Sequence, residues 1–215
     1  MLIAEELVLL SLDPRRGRPL NGSEAPLRMC VVGALVAELG IDGRVEWTGS
    51  KFVAVGQRPH GLLGEVHAAL AADQARRATR QFPRLDRSLH GARGRVVDGL
   101  VEAGALGRER RRIWLPTAHP LLTAEARDEP LARVRSAAAG DGPIDARTAV
   151  LLALAGPARL LELVADKPHA HAKRRIAQAA EFVPAADVVR KVIAEAAAAA
   201  ATSAAVIAAT TAASS

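Results

Sequence analysis

The stretch RERRRIWLPTAHPLL, residues 108–122, brings together two side-chain types that suit a surface that is both anionic and partly apolar. Four of its first five residues are arginines, and one of the chain's two tryptophans follows them closely. Guanidinium groups bind phosphate and carboxylate oxygens in two-pronged fashion, and an indole ring suits a membrane–water boundary. The stretch therefore predicts a surface that binds a membrane or a partner through Arg108, Arg110, Arg111, Arg112 and Trp114.

The other chemistry-bearing side chains form no recognisable catalytic set. The sequence has no phosphate-binding glycine loop with its Lys-Ser/Thr, no nucleophilic serine elbow and no Cys–His arrangement. His169 and His171 are two candidate metal ligands without a third and fourth. Cys30 lies in an apolar run, which favours a buried thiol over a reactive one. We expect a protein that is not an enzyme and that holds no metal or other cofactor.

Composition favours a helical protein with an anionic partner. Half of the 215 residues are apolar, with Ala, Leu and Val dominant, and the net charge is +6. The charge suits nucleic acid, an acidic membrane surface or an acidic protein. Arginine far exceeds lysine, which is also typical of a GC-rich bacterial genome. A single cysteine indicates a reducing, cytoplasmic compartment.

Apolar spacing predicts helices over residues 3–12 and 27–39, the second ending at Gly40, and a last helix from about Pro184. Residues 45–55 alternate around a Thr-Gly-Ser turn, as short extended segments do. No inter-domain linker is evident, and the short segment AAAGDGPID is the best candidate for a domain boundary. Residues 196–215 carry no charge but are mostly Ala, Thr and Ser, which gain little from hydrocarbon. The predicted core contains Leu7, Leu10, Val31, Leu35, Leu39, Leu100, Leu152 and Leu154.

Residues 84–122 read as an irregular start, a helix that ends at Gly104, and a basic β-hairpin whose second strand covers residues 112–115. Three interpretations compete. The hairpin can be a solvated surface excursion with Trp114 packed on the core. It can be the wing of a winged-helix DNA binder, although Gly91, Gly94 and their valine neighbours read base edges poorly. It can also bind a membrane surface, with arginines on anionic headgroups.

Five ordered segments resemble the Golgi phosphoprotein 3 family: LIAEELVLLSLD, GALVAELGIDGRV, LVEAGAL, TAHPL and AKRRIAQ. The resemblance runs from Leu2 to about residue 200 and points to compact bacterial members. It implies a mainly α, single globular domain over residues 1–200, with a central helical bundle, surrounding amphipathic helices and a protruding β-hairpin. Residues 201–215 would form a frayed helical end. Eukaryotic members bind phosphatidylinositol 4-phosphate on Golgi membranes and link glycosyltransferases to coat proteins.

The resemblance also implies a headgroup pocket. A family arginine on the helix before the hairpin matches Arg93, another falls at His90, and Arg95 matches a further basic position. Val32 and Ser23 stand where the family has an arginine and a tryptophan, so binding of an anionic or phosphorylated headgroup is implied more firmly than phosphatidylinositol 4-phosphate itself.

We therefore expect a cytoplasmic protein, peripheral on the inner face of the membrane, that binds anionic lipid. A protein-interaction or self-association module using the same hairpin, with a homo-oligomer or an unnamed client protein, is the alternative. A winged-helix nucleic-acid binder ranks third, and nucleic acid is not expected as the partner.

Overall fold

Ten helices and one small sheet make up the part of the chain that the structure describes. The structure is a computed structural model and describes residues 1–20, 23–109 and 117–212, with side chains up to residue 198. Its elements are α1 Ile3–Ser11, α2 Glu24–Ile41, β1 Val45–Trp47, β2 Phe52–Ala54, α3 Gly61–Ala72, α4 Ala78–Ser88, α5 Ala92–Glu102, α6 Glu125–Ala139, α7 Ala146–Ala155, α8 Leu161–Val164, α9 Ala170–Glu181 and α10 Pro184–Ala212. The mainly α, single-domain class predicted from the sequence is confirmed.

Helix α2 is the centre of the bundle, because α1, α4, α5, α7 and α10 all pack against it. Its buried residues lie on most of its circumference, as expected for a helix enclosed by others. Gly33 lets α10 approach closely, since a Cβ there would lie 2.5 Å from Cγ2 of Val189. Each predicted core residue is at most 2% exposed, namely Leu7, Leu10, Val31, Leu35, Leu39, Leu100, Leu152 and Leu154.

Helix α4 differs from the sequence interpretation, which expected an irregular segment before the helix that ends at Gly104. The helix runs through Pro83, a residue that removes a backbone donor and is unfavourable inside helices. Tertiary contacts outweigh this cost. Phe82 is fully buried, and the Gln81 side chain bonds both backbone groups of Phe52, accepting from its N–H at 3.0 Å and donating to its carbonyl at 2.9 Å. These bonds join α4 to the sheet.

The sheet is an antiparallel hairpin, with Val45 opposite Ala54 and Trp47 opposite Phe52. It confirms the extended segments expected around residues 45–55. The GDGPID segment is a loop between α6 and α7, not a domain boundary. Arg175 of α9 bonds the Ala137 carbonyl at 3.2 Å and the Gly142 carbonyl at 2.8 Å, which joins α9 to the end of α6 and to the loop.

The basic hairpin is described at its base. Leu106 pairs with Leu121 and Glu109 with Ala118 in antiparallel bridges. The predicted strand over residues 112–115, and with it the whole stretch 110–116, lies outside the described residues. At the other end of the chain, α10 begins at Pro184 as predicted. Of the helices in the described ranges, none combines the length and the apolar character that a bilayer crossing requires. The frayed end over residues 201–215 stays a prediction.

Candidate anion-binding site

The turn between α4 and α5 positions the first predicted site residues. His90 and Gly91 are consecutive residues in the left-handed region, with φ of +53° and +90°, and they reverse the chain direction. The Gly91 N–H donates to the Asp86 carbonyl at 3.2 Å, which closes the turn. A left-handed residue other than glycine is strained, and such residues cluster at functional sites. His90 is exposed on this turn.

Arg93 lies in the first turn of α5, where the helix dipole favours an anion. The N-cap residue Gly91 supplies no side-chain hydrogen bond, and the first turn has no acidic residue. The Arg93 side chain is half-buried, and its Nε is shielded from solvent without a hydrogen-bond partner. Burial lowers the pKa of Arg93, and the charge of Glu24 opposes this shift. A shielded donor of this kind calls for an acceptor oxygen.

Arg93 is also not engaged by the acids of its own helix. Asp98 forms an ion pair with Arg108, at the base of the hairpin, and Glu102 is exposed at the end of α5. Across the residues that the structure describes, no carboxylate forms an ion pair with Arg93. Among the described residues, the Arg93 guanidinium therefore has no carboxylate in contact to balance its charge.

Arg28 on α2 is a neighbouring cation that the sequence interpretation missed. Its Nη2 bonds Oδ2 of Asp86, and the Asp86 side chain is 3% exposed while that of Arg28 is 59% exposed. Arg28 precedes Val32 by one helical turn, so the two lie on the same side of α2. Val32 itself is buried in the core. The signal that could have revealed Arg28 was thus an arginine four residues before the position at which the family has one.

Arg95 is not brought together with Arg93. Residues two apart on a helix point to different sides, and Arg95 faces α3. There it bonds both carboxylate oxygens of Glu65, with a distance of 2.8 Å from Nη2 to Oε1. The hydrogen bond from Arg95 lowers the pKa of Glu65. Of the predicted headgroup ligands, His90 lies in the α4–α5 turn, Arg93 lies in the first turn of α5, and Arg95 belongs to a surface ion pair with Glu65.

His119 connects the hairpin base to this region. Its Nδ1 lies 3.2 Å from the Gly107 carbonyl, and its backbone N–H donates to the Gly17 carbonyl at 2.8 Å. Burial lowers the pKa of His119, and the positive charges of Arg108 and Arg93 lower it further. The imidazole is therefore neutral at pH 7, with Nδ1–H donating to Gly107 and Nε2 left as an acceptor.

The remaining predictions concern other parts of the chain. Most of the predicted hairpin contacts lie outside the described residues, namely Arg110, Arg111, Arg112 and Trp114. Within the described ranges, no three His, Cys, Asp or Glu side chains are grouped as metal ligands. His169 and His171 face different acids, with Nε2 to carboxylate distances of 3.6 Å to Glu162 and 3.7 Å to Asp141. Ser23, where the family has a tryptophan, is buried and donates its hydroxyl to the Leu20 carbonyl at 2.6 Å.

A known protein family matches most of the length of this chain. A search of curated proteins finds no match for this chain. A family model described as Golgi phosphoprotein 3 (GPP34) matches residues 3–196, which includes all helices from α1 to α9 and the first part of α10. The matched region contains the α4–α5 turn, Arg93 and the base of the hairpin. The chain therefore belongs to the Golgi phosphoprotein 3 (GPP34) family.

Proposed function

We propose that this chain is a peripheral membrane-surface protein that holds a phosphorylated or otherwise anionic lipid headgroup at Arg93. The observation that carries the proposal is the state of Arg93: half-buried, with a shielded Nε, at an uncapped helix N-terminus, and unpaired with any described acid. A phosphate oxygen would supply the missing acceptor and the compensating charge together. Family membership supports the same chemistry, since the resemblance implies a headgroup pocket on this helix.

The groups around Arg93 favour one compact oxyanion. Arg28, through its partner Asp86, and His90 add donors at the α4–α5 turn, whereas the acceptor Nε2 of the neutral His119 does not bind an oxyanion. Glu24 and Asp86 offset part of this charge, and Arg28 is already bonded to Asp86. Arg93 is therefore the main ligand of the proposed site.

The hairpin would supply the attraction to the bilayer itself. Each arginine near an anionic surface contributes roughly 1 kcal/mol, so Arg110, Arg111 and Arg112 together would contribute about 3 kcal/mol. Arg108 adds less, because it is already paired with Asp98. This attraction weakens with salt, whose screening length is about 8 Å at physiological ionic strength. Trp114 would add a smaller interaction that salt does not weaken. Exchange of Arg110 and Arg111 for glutamate should then abolish the salt-sensitive part of binding.

The test is co-sedimentation with vesicles of phosphatidylcholine alone, with added phosphatidylserine, and with added phosphatidylinositol 4-phosphate. We expect binding to both anionic vesicles. Arg93→Gln should weaken binding to the phosphoinositide vesicles by about 1.5–3 kcal/mol, the range of a charge-assisted hydrogen bond. The control is Arg190→Gln, since Arg190 is a 69% exposed arginine of α10 paired with Asp187. It removes the same charge far along the chain from the site and should change little.

Three results would contradict the proposal. The first is a wild-type protein that does not bind anionic vesicles. The second is an equal loss of binding in Arg93→Gln and Arg190→Gln, which would indicate that only the overall positive charge attracts the protein to the vesicles. The protein could also shift a DNA duplex in a mobility assay while it leaves vesicles unbound, as a winged-helix protein would. Self-association through the hairpin without vesicle binding, measured by sedimentation, would favour the interaction-module interpretation.

A further inference from the structure

A cavity lies far along the chain from Arg93, between the end of α2, the β1–β2 sheet, the start of α7 and the α9–α10 junction. Its volume is about 700 Å³, within the roughly 300–1,000 Å³ typical of small-molecule sites. Small residues such as Gly40, Ala146 and Ala149 line it and leave the space open. We call it the α2–α9 groove.

Large apolar side chains stand exposed along this groove. Phe182 is 81% exposed, Ile41 43% and Trp47 38%, and all three line the cavity. Trp47 is held in place from behind, because its ring lies 4.7 Å from the Phe52 ring and Phe52 packs on the fully buried Phe82. A rigid, concave apolar surface of this kind is typical of a binding site.

Arg175 is the one charged residue among the described residues that line the groove. Its three hydrogen bonds go to neutral oxygens: the carbonyls of Ala137 and Gly142, and Oε1 of Gln178 at 3.3 Å. Within the described ranges no carboxylate lies in ion-pair distance of it. A guanidinium has five N–H donors, so two remain for a ligand. The groove therefore joins an apolar floor to one uncompensated, preoriented cation.

We infer that the α2–α9 groove binds a single-chain amphiphile with a carboxylate head, such as a medium- or long-chain fatty acid. The carboxylate would bond the free N–H groups of Arg175, and the acyl chain would lie along Trp47, Ile41 and Phe182. One arginine whose other partners are neutral carbonyls matches a monoanion. A phosphate dianion would leave one negative charge unbalanced by the described lining. This site is independent of the proposed headgroup site at Arg93.

The probe is dodecanoate, used below its micelle concentration, with dodecanol as the neutral analogue and dodecyltrimethylammonium as the cationic one. Trp114→Phe leaves Trp47 as the single tryptophan, so its emission reports an acyl chain that covers its exposed face. Calorimetry provides an independent measurement. We expect one dodecanoate per protein, bound at least about tenfold more tightly than dodecanol. Affinity should rise roughly fourfold per methylene from octanoate to dodecanoate.

Two protein variants separate the charge from the apolar surface. Arg175→Gln should reduce dodecanoate affinity to that of dodecanol and leave dodecanol unchanged. Arg174→Gln is the matched control, since Arg174 is the preceding residue of α9, is exposed, and does not line the groove. Ala149→Phe should fill the groove and weaken all three ligands. If that variant fails to fold, Phe182→Ser removes an exposed wall at no cost to the core and should weaken both dodecanoate and dodecanol.

Several results would overturn the inference. Equal affinity for dodecanoate and dodecanol would show that Arg175 contributes no recognition. Equal effects of Arg174→Gln and Arg175→Gln would indicate surface charge alone, and tighter binding of dodecyl phosphate would reject the carboxylate. A dimer that Phe182→Ser dissociates, in a protein that binds no dodecanoate, would show that a second copy covers this face.

Discussion

Two glycines in helices should respond oppositely to the same substitution. In a helix interior alanine is favoured over glycine by about 0.8–1.0 kcal/mol. Gly94 of α5 has nothing within 4 Å of the position of an added Cβ, so Gly94→Ala should stabilise the protein by roughly 0.5–1 kcal/mol. Gly33 of α2 is different, because an added Cβ would lie 2.5 Å from Cγ2 of Val189, a short and stiff side chain.

The clash at Gly33 requires α10 or Val189 to move. Overpacking of this kind costs about 1–3 kcal/mol, which outweighs the propensity gain. The free energies of unfolding of Gly33→Ala and Gly94→Ala should therefore differ by about 1–3 kcal/mol, with the propensity gain common to both. Urea denaturation followed by circular dichroism at 222 nm measures this difference. If the two variants are equally stabilised, α2 and α10 do not approach as closely as described.

Three other properties follow from buried polar groups. Glu38 is 8% exposed, and its carboxylate bonds Nη1 of Arg147 at 2.5 Å. Arg147→Ala removes this countercharge and should destabilise the protein by about 3 kcal/mol in urea denaturation. A loss of stability under about 1 kcal/mol would contradict this. Burial raises the pKa of the Cys30 thiol to about 12. At pH 8 a disulfide reagent should therefore react with Cys30 of the unfolded chain at least about a thousandfold faster than with Cys30 of the native protein. Rapid labelling of the native protein would refute the burial of Cys30. Burial lowers the pKa of His119 below 6.5, so on acidification the unfolded chain binds a proton at this histidine at a higher pH than the folded protein does. The free energy of unfolding should therefore fall as the pH drops below about 6.5. The variant His119→Asn, which keeps a donor for the Gly107 carbonyl, should show a smaller fall.

The helical core was predictable because the period of the apolar residues matches a helix over α1 and α2. The α4 error has a physical cause. Proline is a strong local signal against a helix, and the contacts that outweigh it, from Gln81 to Phe52, join residues 29 positions apart. No local pattern reveals such a bond. The same limit applies to the α2–α9 groove, whose walls come from distant segments of the sequence.

The site was predictable in part. Arg93 was identified through a resemblance, and its place at the start of α5 agrees with that expectation. Its separation from Arg95 follows from helix periodicity, and the partner Glu65 lies 30 residues earlier. Arg28 was missed because a one-turn offset along α2 hides it from a position-by-position comparison. Arg175 gave no signal, since its acceptors are backbone carbonyls, which look alike in every sequence.

The most direct test of the central claim observes the Nε–H group of Arg93 itself. Arginine Nε–H signals are resolved by ¹H–¹⁵N correlation spectroscopy, and Arg93→Lys identifies the one that belongs to Arg93. Titration with inositol 1,4-bisphosphate, a soluble phosphorylated headgroup, should shift this signal saturably as a phosphate oxygen becomes its acceptor. The Nε–H signals of Arg95 and Arg190, whose guanidinium groups are already paired, should stay in place. An Arg93 signal that remains unmoved throughout the titration, or that moves no more than these two, would contradict headgroup binding at Arg93.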